Sequence, residues 1–261
     1  LRKGDASKAT GVAADISDPA ARKLVEWIIL RADHNGAESK RYLAFIAANP
    51  NWPSHGMFRR RAEAMLWVEN VRPAQAMSFF KDAPPQSGMG RLVLARALLA
   101  QGDRDVGAAQ VREVWRNDQL SADVEKQVLD RYGEFLSNVD HKARMEKRLF
   151  ADDNEAALRA ARRLGGAQVA IAQARIALDR KPGDKKKPSD GKKQFDAVPA
   201  DARDDPGYIF AQVQFLRRAD KTAEAAKVLL AAPRELSQIH DPEEWWVERR
   251  LAARKMLDLG E

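Results

Sequence analysis

Residues 44–67, AFIAANPNWPSHGMFRRRAEAMLW, contain the break that most constrains the fold of this chain. Pro50 and Pro53 lack the backbone amide hydrogen that a helix needs, so the Asn-Pro-Asn-Trp-Pro segment must end one helix before the next begins. After this break, apolar residues recur at helical spacing, at Phe58, Ala62, Met65 and Leu66. The segment therefore predicts a helix, a tight turn and a second, amphipathic helix.

An aspartate followed by a proline predicts three further helix starts. The carboxylate can cap the first amide groups of a helix, and proline suits the first helical position, where no amide hydrogen is needed. The three pairs are Asp18-Pro19, Asp205-Pro206 and Asp241-Pro242. A glutamate three residues after the cap predicts a capping box at Asp241 with Glu244, and at Asp152 with Glu155. Pro73 predicts one more helix start.

Apolar stripes with the period of a helix extend this pattern along the chain. Leu24, Trp27, Ile28 and Arg31 share one face of a helix predicted at residues 20–32. Residues 208–218 carry two stripes, at 208, 211 and 215 and at 209, 213 and 216, which predicts a helix covered on two sides. Because alanine is frequent and β-branched runs of strand length are scarce, the predicted fold class is all-α.

A short turn motif recurs three times. Leu1–Asp5, Leu99–Asp103 and Leu216–Asp220 each resemble the last turn of a helix, followed by a tight turn and an alanine-rich helix. This unit is typical of the helical hairpins of tetratricopeptide-like solenoids. The intervals are not multiples of one period of about 34 residues, so we expect one domain over 1–261, an irregular superhelix of hairpins. Both ends resemble interrupted hairpins, and we expect further protein or a partner beyond at least one of them.

Composition excludes several classes of function. The chain has no cysteine, which rules out disulfides, thiolate nucleophiles and thiolate metal ligands. No apolar run reaches the roughly 18 residues that span a bilayer, so no transmembrane segment is predicted. Residues 1–16 lack the order of charged, apolar and small residues found in a signal peptide. We expect a soluble chain, or a mature form from which the targeting segment has been removed.

Most of the net positive charge lies in one segment, residues 180–194. This stretch, RKPGDKKKPSDGKKQ, holds seven basic and two acidic residues and so carries five of the seven net positive charges of the chain. It lacks the apolar residues that packing requires, and we interpret it as a flexible basic loop inside the domain. An arm that binds a polyanion is the alternative.

No reactive constellation is found in the sequence. The four histidines are isolated and are interpreted as turn or surface residues: His34, His55, His141 and His240. Gly88-Met89-Gly90 lacks the third glycine and the preceding strand of a phosphate-binding loop. Helical surface pairs such as Glu155 with Arg159 account for the carboxylates. We predict no catalytic residue, no metal site and no cofactor.

Aromatic and arginine side chains are the better candidates for a binding surface. An indole can stack on a sugar, and a cluster of arginines can contact a polyanion or line a glycan path. Neighbouring helical residues point about 100° apart, so Trp245 and Trp246 cannot both enter one core face. The candidate substrate-binding residues are Trp52, Arg59, Arg60, Trp245, Trp246, Arg249 and Arg250.

Three segments, residues 24–67, 94–103 and 240–261, resemble the N-terminal superhelical region of soluble lytic murein transglycosylases, most closely the alphaproteobacterial members. The likeness runs over essentially the whole chain. Its most specific parts are Asn49-Pro50-x-Trp52-Pro53 and Trp245-Trp246-x-Glu248-Arg249-Arg250, neither of which is catalytic. The basic segment has no counterpart in this pattern and is interpreted as an insertion.

The resemblance implies a ring or horseshoe of helical hairpins in the periplasm, which supports a C-terminal lysozyme-like domain. In such enzymes one glutamate of that domain acts as acid and then base, and cleavage of the glycan strand forms a 1,6-anhydromuramyl product. The catalytic motif, Glu-Ser followed closely by Gly-Leu-Met-Gln, is absent here; Glu38-Ser39 matches only the dipeptide. No catalytic residue is carried over, and the catalytic domain is expected beyond residue 261.

The implied function is a non-catalytic scaffold that positions peptidoglycan strands or partners for the catalytic domain. Its expected partners are the glycan strands, the C-terminal domain of the same protein and cell-wall proteins, and no nucleic acid. The alternative is a free-standing helical-repeat adaptor that binds a protein or peptide in a concave groove. Nucleic-acid binding through the basic segment is a third, less favoured interpretation.

Overall fold

A computed structural model describes residues 6–178, 192–236 and 238–260 of the 261-residue chain. Every regular element in these ranges is helical, which confirms the all-α prediction. The chain divides into two compact units, Leu1–Val114 and Trp115–Glu261, and each is described by itself. The predictions of one domain and of a superhelix remain predictions.

The described part of the first unit contains six helices and most of a seventh, which continues past Val114. The helices are α1 (Ala6–Ala14), α2 (Pro19–Arg31), α3 (Ser39–Ala48), α4 (His55–Val68), α5 (Pro73–Phe80), α6 (Gly88–Gln101) and α7 (Arg104–Asn117). Contacts join α1 to α2, α3 to α4, and both α4 and α5 to α6.

In the described part of the second unit the helices are α8 (Ala122–Tyr132), α9 (Asn138–Phe150), α10 (Asn154–Leu164), α11 (Gly166–Leu178), α12 (Lys192–Asp196), α13 (Pro206–Arg218), α14 (Thr222–Ala231) and α15 (Pro242–Asp258). The described residues also include two short 3₁₀ segments, Gly133–Phe135 and Ala200–Ala202. Consecutive helices pack together from α9 to α12 and from α13 to α15, and α9, α11, α13 and α15 also pack each on the next.

Two of the three Asp-Pro pairs cap a helix as predicted. Asp18 Oδ1 accepts a hydrogen bond from the Ala21 amide at 2.7 Å, and Asp205 Oδ1 accepts one from the Gly207 amide at 2.8 Å. Asp241 does not cap α15, because its backbone is left-handed at φ +54° and its side chain makes no capping bond. The capping box predicted there is wrong.

The second predicted capping box is also wrong, by one residue. Asp152 lies in a left-handed turn at φ +56°, and Asp153 caps α10 by accepting from the Ala156 amide at 3.3 Å. Pro73 begins α5 as predicted.

Two of the repeated turns lie in the described residues and connect helices as predicted. Gly102 ends α6 at φ +95°, a conformation that suits glycine, and Asp220 at φ +58° separates α13 from α14. The third turn, Leu1–Asp5, lies outside the described residues.

The basic segment is described only at its end, because residues 180–191 lie outside the described ranges. The predicted loop ends too late, because Lys192 already begins α12, which Phe195 anchors in the core at 7% exposure.

The predicted apolar stripes are confirmed for α4 and α13 but not for α2. Tyr208, Ala211 and Phe215 pack in one cluster, and Val213 and the partly buried Ile209 pack in another, so α13 is covered on two sides. Leu216 is buried, and Phe210, which the predicted stripes leave out, joins the second cluster.

The buried face of α2 is adjacent to the predicted one. Leu24 and Ile28 are 47% and 40% exposed, whereas Ile29 and Leu30 are fully buried. Ile29 packs near Ala13 of α1 and Leu30 joins the cluster of α3 and α4, so contacts outside the helix select its inner face.

Buried glutamates fix the starts of two helices. In the first unit, Glu63 accepts hydrogen bonds from the Gln86 amide (2.9 Å) and the Ser87 hydroxyl (2.5 Å) and lies against Gly90, so that a Cβ atom on Gly90 would overlap its carboxylate. In the second unit, Glu146 lies in the same way against Gly207. Each glycine is required because a carboxylate occupies the space of its side chain.

Two cations hold the carboxylate of Glu146. It accepts from Arg175, and the Lys142 Nζ lies 3.0 Å from its Oε1. Burial alone would raise the pKa of Glu146, but the charges of Arg175 and Lys142 outweigh it and lower the pKa from 4.5 to about 2.

We predict that Gly90→Ala destabilises the protein by about 1–2 kcal/mol, because the added methyl group must displace the Glu63 carboxylate. The matched control is Gly166→Ala in the first turn of α11, where a Cβ atom meets nothing within 4 Å and the higher helix propensity of alanine favours folding. Urea unfolding of both variants measures the difference. Equal stability of Gly90→Ala and the wild type would contradict the packing described for Glu63.

We also predict a pH-dependent contribution from Glu146. Because its folded pKa lies below the unfolded value, its contribution is fully present above pH 4.5 and is lost as the pH falls toward 2, a loss of about 3 kcal/mol. Urea unfolding between pH 2 and 7 should therefore show Glu146→Gln much less stable than the wild type near neutrality and similar to it near pH 2. The exposed Glu243→Gln serves as the control and should follow the wild-type profile. A constant gap between the Glu146→Gln and wild-type curves would refute the linkage.

Candidate functional site

Trp52 lies in the turn between α3 and α4 and packs against a core cluster of the first unit. Its ring meets those of Phe45 and Trp27 edge to face, with centroids 5.9 and 6.2 Å away. The Trp27 indole donates to the Pro53 carbonyl at 3.1 Å, which holds the turn against α2. Trp52 is thus half-buried, and part of its ring is accessible.

The two candidate arginines of α4 differ in environment. Arg59 donates to the Ala83 carbonyl at 2.7 Å, pairs with Glu63, and lies over the Phe79 ring at 4.9 Å. Arg60 is exposed. Arg59 is therefore engaged by its own unit, and Arg60 is the candidate whose guanidinium is accessible to a ligand.

The four candidate residues of α15 also differ in how exposed they are. Trp245 is 2% exposed and packs on Phe210, whereas Trp246 is 60% exposed, as expected for adjacent helical residues. Arg249 donates to the Pro233 carbonyl at 2.9 Å and lies over the Trp245 ring. Arg250 is exposed and follows Trp246 by four residues, so the two share one face of α15.

The seven candidates therefore separate by unit and by role. Trp52, Arg59 and Arg60 belong to the first unit, and the four residues of α15 belong to the second. The candidates engaged in packing are Trp52, Arg59, Trp245 and Arg249. The exposed candidates are Arg60, Trp246 and Arg250. Ligand binding by any of them stays a prediction.

The histidines show one departure from the sequence interpretation. His141 is neither in a turn nor on the surface: it lies inside α9 at 7% exposure, and its ring meets Trp115 edge to face at 5.4 Å. His240 is partly buried near Glu146. In the ranges that the structure describes, no group of three or more histidines and carboxylates is arranged to hold a metal ion.

The second unit contains a cavity of about 330 Å³ that the sequence did not reveal. It is lined by residues of α8, α9 and α10 and by Trp115 of α7. Five basic and two acidic side chains line it, together with small and apolar ones. The lining residues are Trp115, Ala122, Glu125, Lys126, Leu129, Asp130, Arg144, Arg159, Ala160, Arg162 and Arg163.

Glu125, 4% exposed, organises the buried charges of this cavity. Arg144 Nη2 donates to its Oε1 at 2.5 Å, and Arg159 Nε donates to its Oε2 at 2.6 Å. Arg144 also donates to the Trp115 carbonyl at 2.8 Å and lies over the indole ring. Arg159 thus pairs with Glu125, 34 residues away, and not with Glu155 as the sequence suggested.

The electrostatics of this region reflect an excess of positive charge. Burial would raise the pKa of Glu125, but hydrogen bonds from Arg159 and Arg144 lower it. Burial lowers the pKa of Arg144 even though Glu125 opposes it. Burial and then the charge of Arg163 lower the pKa of His141. One carboxylate therefore balances two arginines, while further cations lie close by.

The sequence contains only a weak signal for this cavity. Arg159, Arg162 and Arg163 share one turn of α10, and a triplet of this kind is usually a solvated face. Their role depends on Glu125 and Arg144, which come from other helices, and no local spacing links the three elements.

No protein-family model, curated protein or solved structure matches the chain, so these comparisons assign it to no family. Within the part of the chain that the structure describes, no helix is both long and apolar enough to cross a membrane.

We predict that Glu125→Gln destabilises the protein by about 3 kcal/mol, because Arg144 is left buried without a countercharge. Glu155→Gln, at the exposed glutamate that the sequence pairs with Arg159, is the matched control and should change stability by less than about 0.5 kcal/mol. Thermal and urea unfolding measure both. A larger effect at Glu155 than at Glu125 would overturn the assignment of the ion pair.

Proposed function

We propose that the chain is the non-catalytic superhelical scaffold of a peptidoglycan lytic transglycosylase. In this role it positions murein glycan strands, or protein partners, for a C-terminal lysozyme-like domain that forms 1,6-anhydromuramyl products. The main support is the placement of the two segments most specific to the resemblance. Trp52 of Asn49–Pro53 packs against a core cluster of the first unit, and Trp245 at the start of α15 lies in a core cluster of the second. Segments that carry a likeness of fold are expected to make core contacts of this kind.

The packing of the second unit favours a superhelix. Successive helices contact each other from α9 to α12 and from α13 to α15, and the alternate helices α9, α11, α13 and α15 also form a continuous series of contacts. A tetratricopeptide-like solenoid is built in this way, because each hairpin buries its apolar face on its neighbours. We propose the same arrangement for the hairpins of this chain.

The exposed pair on α15 is the proposed contact with the glycan. An exposed indole such as Trp246 can lie flat on a sugar ring, and Arg250 beside it can bind a carboxylate of the muramyl or peptide part. Arg60 offers a similar cation in the first unit. Because murein is a periplasmic polymer, we propose that the protein acts in the periplasm.

The proposal predicts that the purified chain sediments with isolated murein sacculi. Trp246→Ala combined with Arg250→Gln should weaken this binding by about tenfold, since both side chains are exposed and neither replacement disturbs the core. Lys255→Gln, at an exposed cation on the opposite face of the same helix, is the control and should bind as the wild type does. Binding equal to that of the wild type in the double variant would remove α15 from the interface.

Two further results decide the class of function. The chain alone should release no 1,6-anhydromuropeptides from sacculi, and such release would refute the scaffold assignment. Reading the gene past the codon for Glu261 should find Glu-Ser followed by Gly-Leu-Met-Gln. Absence of that motif, together with no binding to sacculi and tight binding to a protein, would establish a helical-repeat adaptor instead.

A further inference from the structure

The cavity bordered by Glu125, Arg144 and Arg159 has more positive charge than its own carboxylates can balance. Glu125 is saturated by the two arginines, and Asp130 pairs with Lys126 at 3.0 Å. The lining groups thus leave an excess of cationic charge around a concave space of about 330 Å³. Anions are attracted to such a site, because the cations are already assembled around it.

Arg162 and Arg163 provide the free guanidinium groups. Both are exposed on α10 and line the cavity, and neither forms a hydrogen bond or ion pair with any residue that the structure describes. Arg163 is also near enough to His141 to lower its pKa. A planar guanidinium offers paired donors that match the two oxygens of a carboxylate.

The other walls of the cavity indicate what the anion is attached to. Ala122, Leu129 and Ala160 also line the cavity and add apolar surface to it. The volume is at the lower end of the range for small-molecule sites, which is about 300–1,000 Å³. A bare inorganic anion would leave these apolar walls in contact with water, whereas two or three residues with small side chains would cover them.

We infer that this cavity is a binding site for the terminal carboxylate of a short peptide with small aliphatic side chains. The carboxylate lies between Arg162 and Arg163, and the peptide body lies along Ala122, Leu129 and Ala160. Glu125 accepts hydrogen bonds from Arg144 and Arg159 and so holds both in the lining of the cavity. That the natural ligand is a murein stem peptide rests on the proposed function; the carboxylate site itself does not.

Isothermal titration with N-acetyl-Ala-Ala tests this inference. The peptide acid should bind saturably, its C-terminal amide should bind at least about tenfold more weakly, and added salt should weaken the binding of the acid. Arg162→Gln with Arg163→Gln should reduce affinity for the acid by about tenfold or more. Arg254→Gln is the matched control. Circular dichroism melting should show that the double variant folds as the wild type does, because both replaced side chains are exposed.

Several outcomes would overturn the inference. They are an absence of binding by the acid, equal binding of acid and amide, and undiminished binding by the Arg162 and Arg163 variant. Inorganic phosphate that binds more tightly than the peptide and displaces it would make the cavity a site for small oxyanions, and not for peptides. If the double variant loses the peptide but binds sacculi as tightly as the wild type does, the carboxylate site stands and its link to murein fails.

Discussion

The burial of carboxylates sets the pairing of helices throughout the chain. Glu63, Glu125, Glu146 and Glu248 are each 4% exposed or less, and each is bonded to groups from another helix or its start. An ionised carboxylate is several kcal/mol less stable in the interior than in water unless donors surround it. A helix shifted by one turn would leave such a group without partners, so these residues specify the register of their neighbours. The apolar clusters alone would tolerate more alternatives.

The starts of helices and their buried faces could be predicted where the cause is local. Asp18 and Asp205 cap helices because the capping amides are two or three residues away. The two stripes of α13 correspond to two core clusters, since the spacing along a helix determines which residues share a face. The same reasoning failed for α2, where α1, α3 and α4 select a face next to the one predicted.

The candidate site could be predicted less well, because its chemistry depends on distant residues. The spacing of Trp245 and Trp246 predicted that they point apart, but not which of them is buried; Phe210 of α13 decides that. Arg159 has a glutamate four residues before it, yet it pairs with Glu125 from α8. The charged cavity brings together side chains from three helices, and no periodicity within any one of them encodes it. A sequence gives the faces of helices more readily than it gives the partners of those faces.

The unequal burial of the six tryptophans gives the molecule an intrinsic optical probe. Trp67, Trp115 and Trp245 are nearly inaccessible, Trp27 and Trp52 are partly covered, and Trp246 is the most exposed. Indoles in an apolar interior fluoresce at shorter wavelengths than indoles in water. A water-soluble quencher reaches the exposed indole first, so it should reduce the long-wavelength part of the emission before the rest. The long-wavelength emission comes from Trp246, on one face of α15. A ligand that binds this face should protect that emission from the quencher, so binding can be followed without attaching a label.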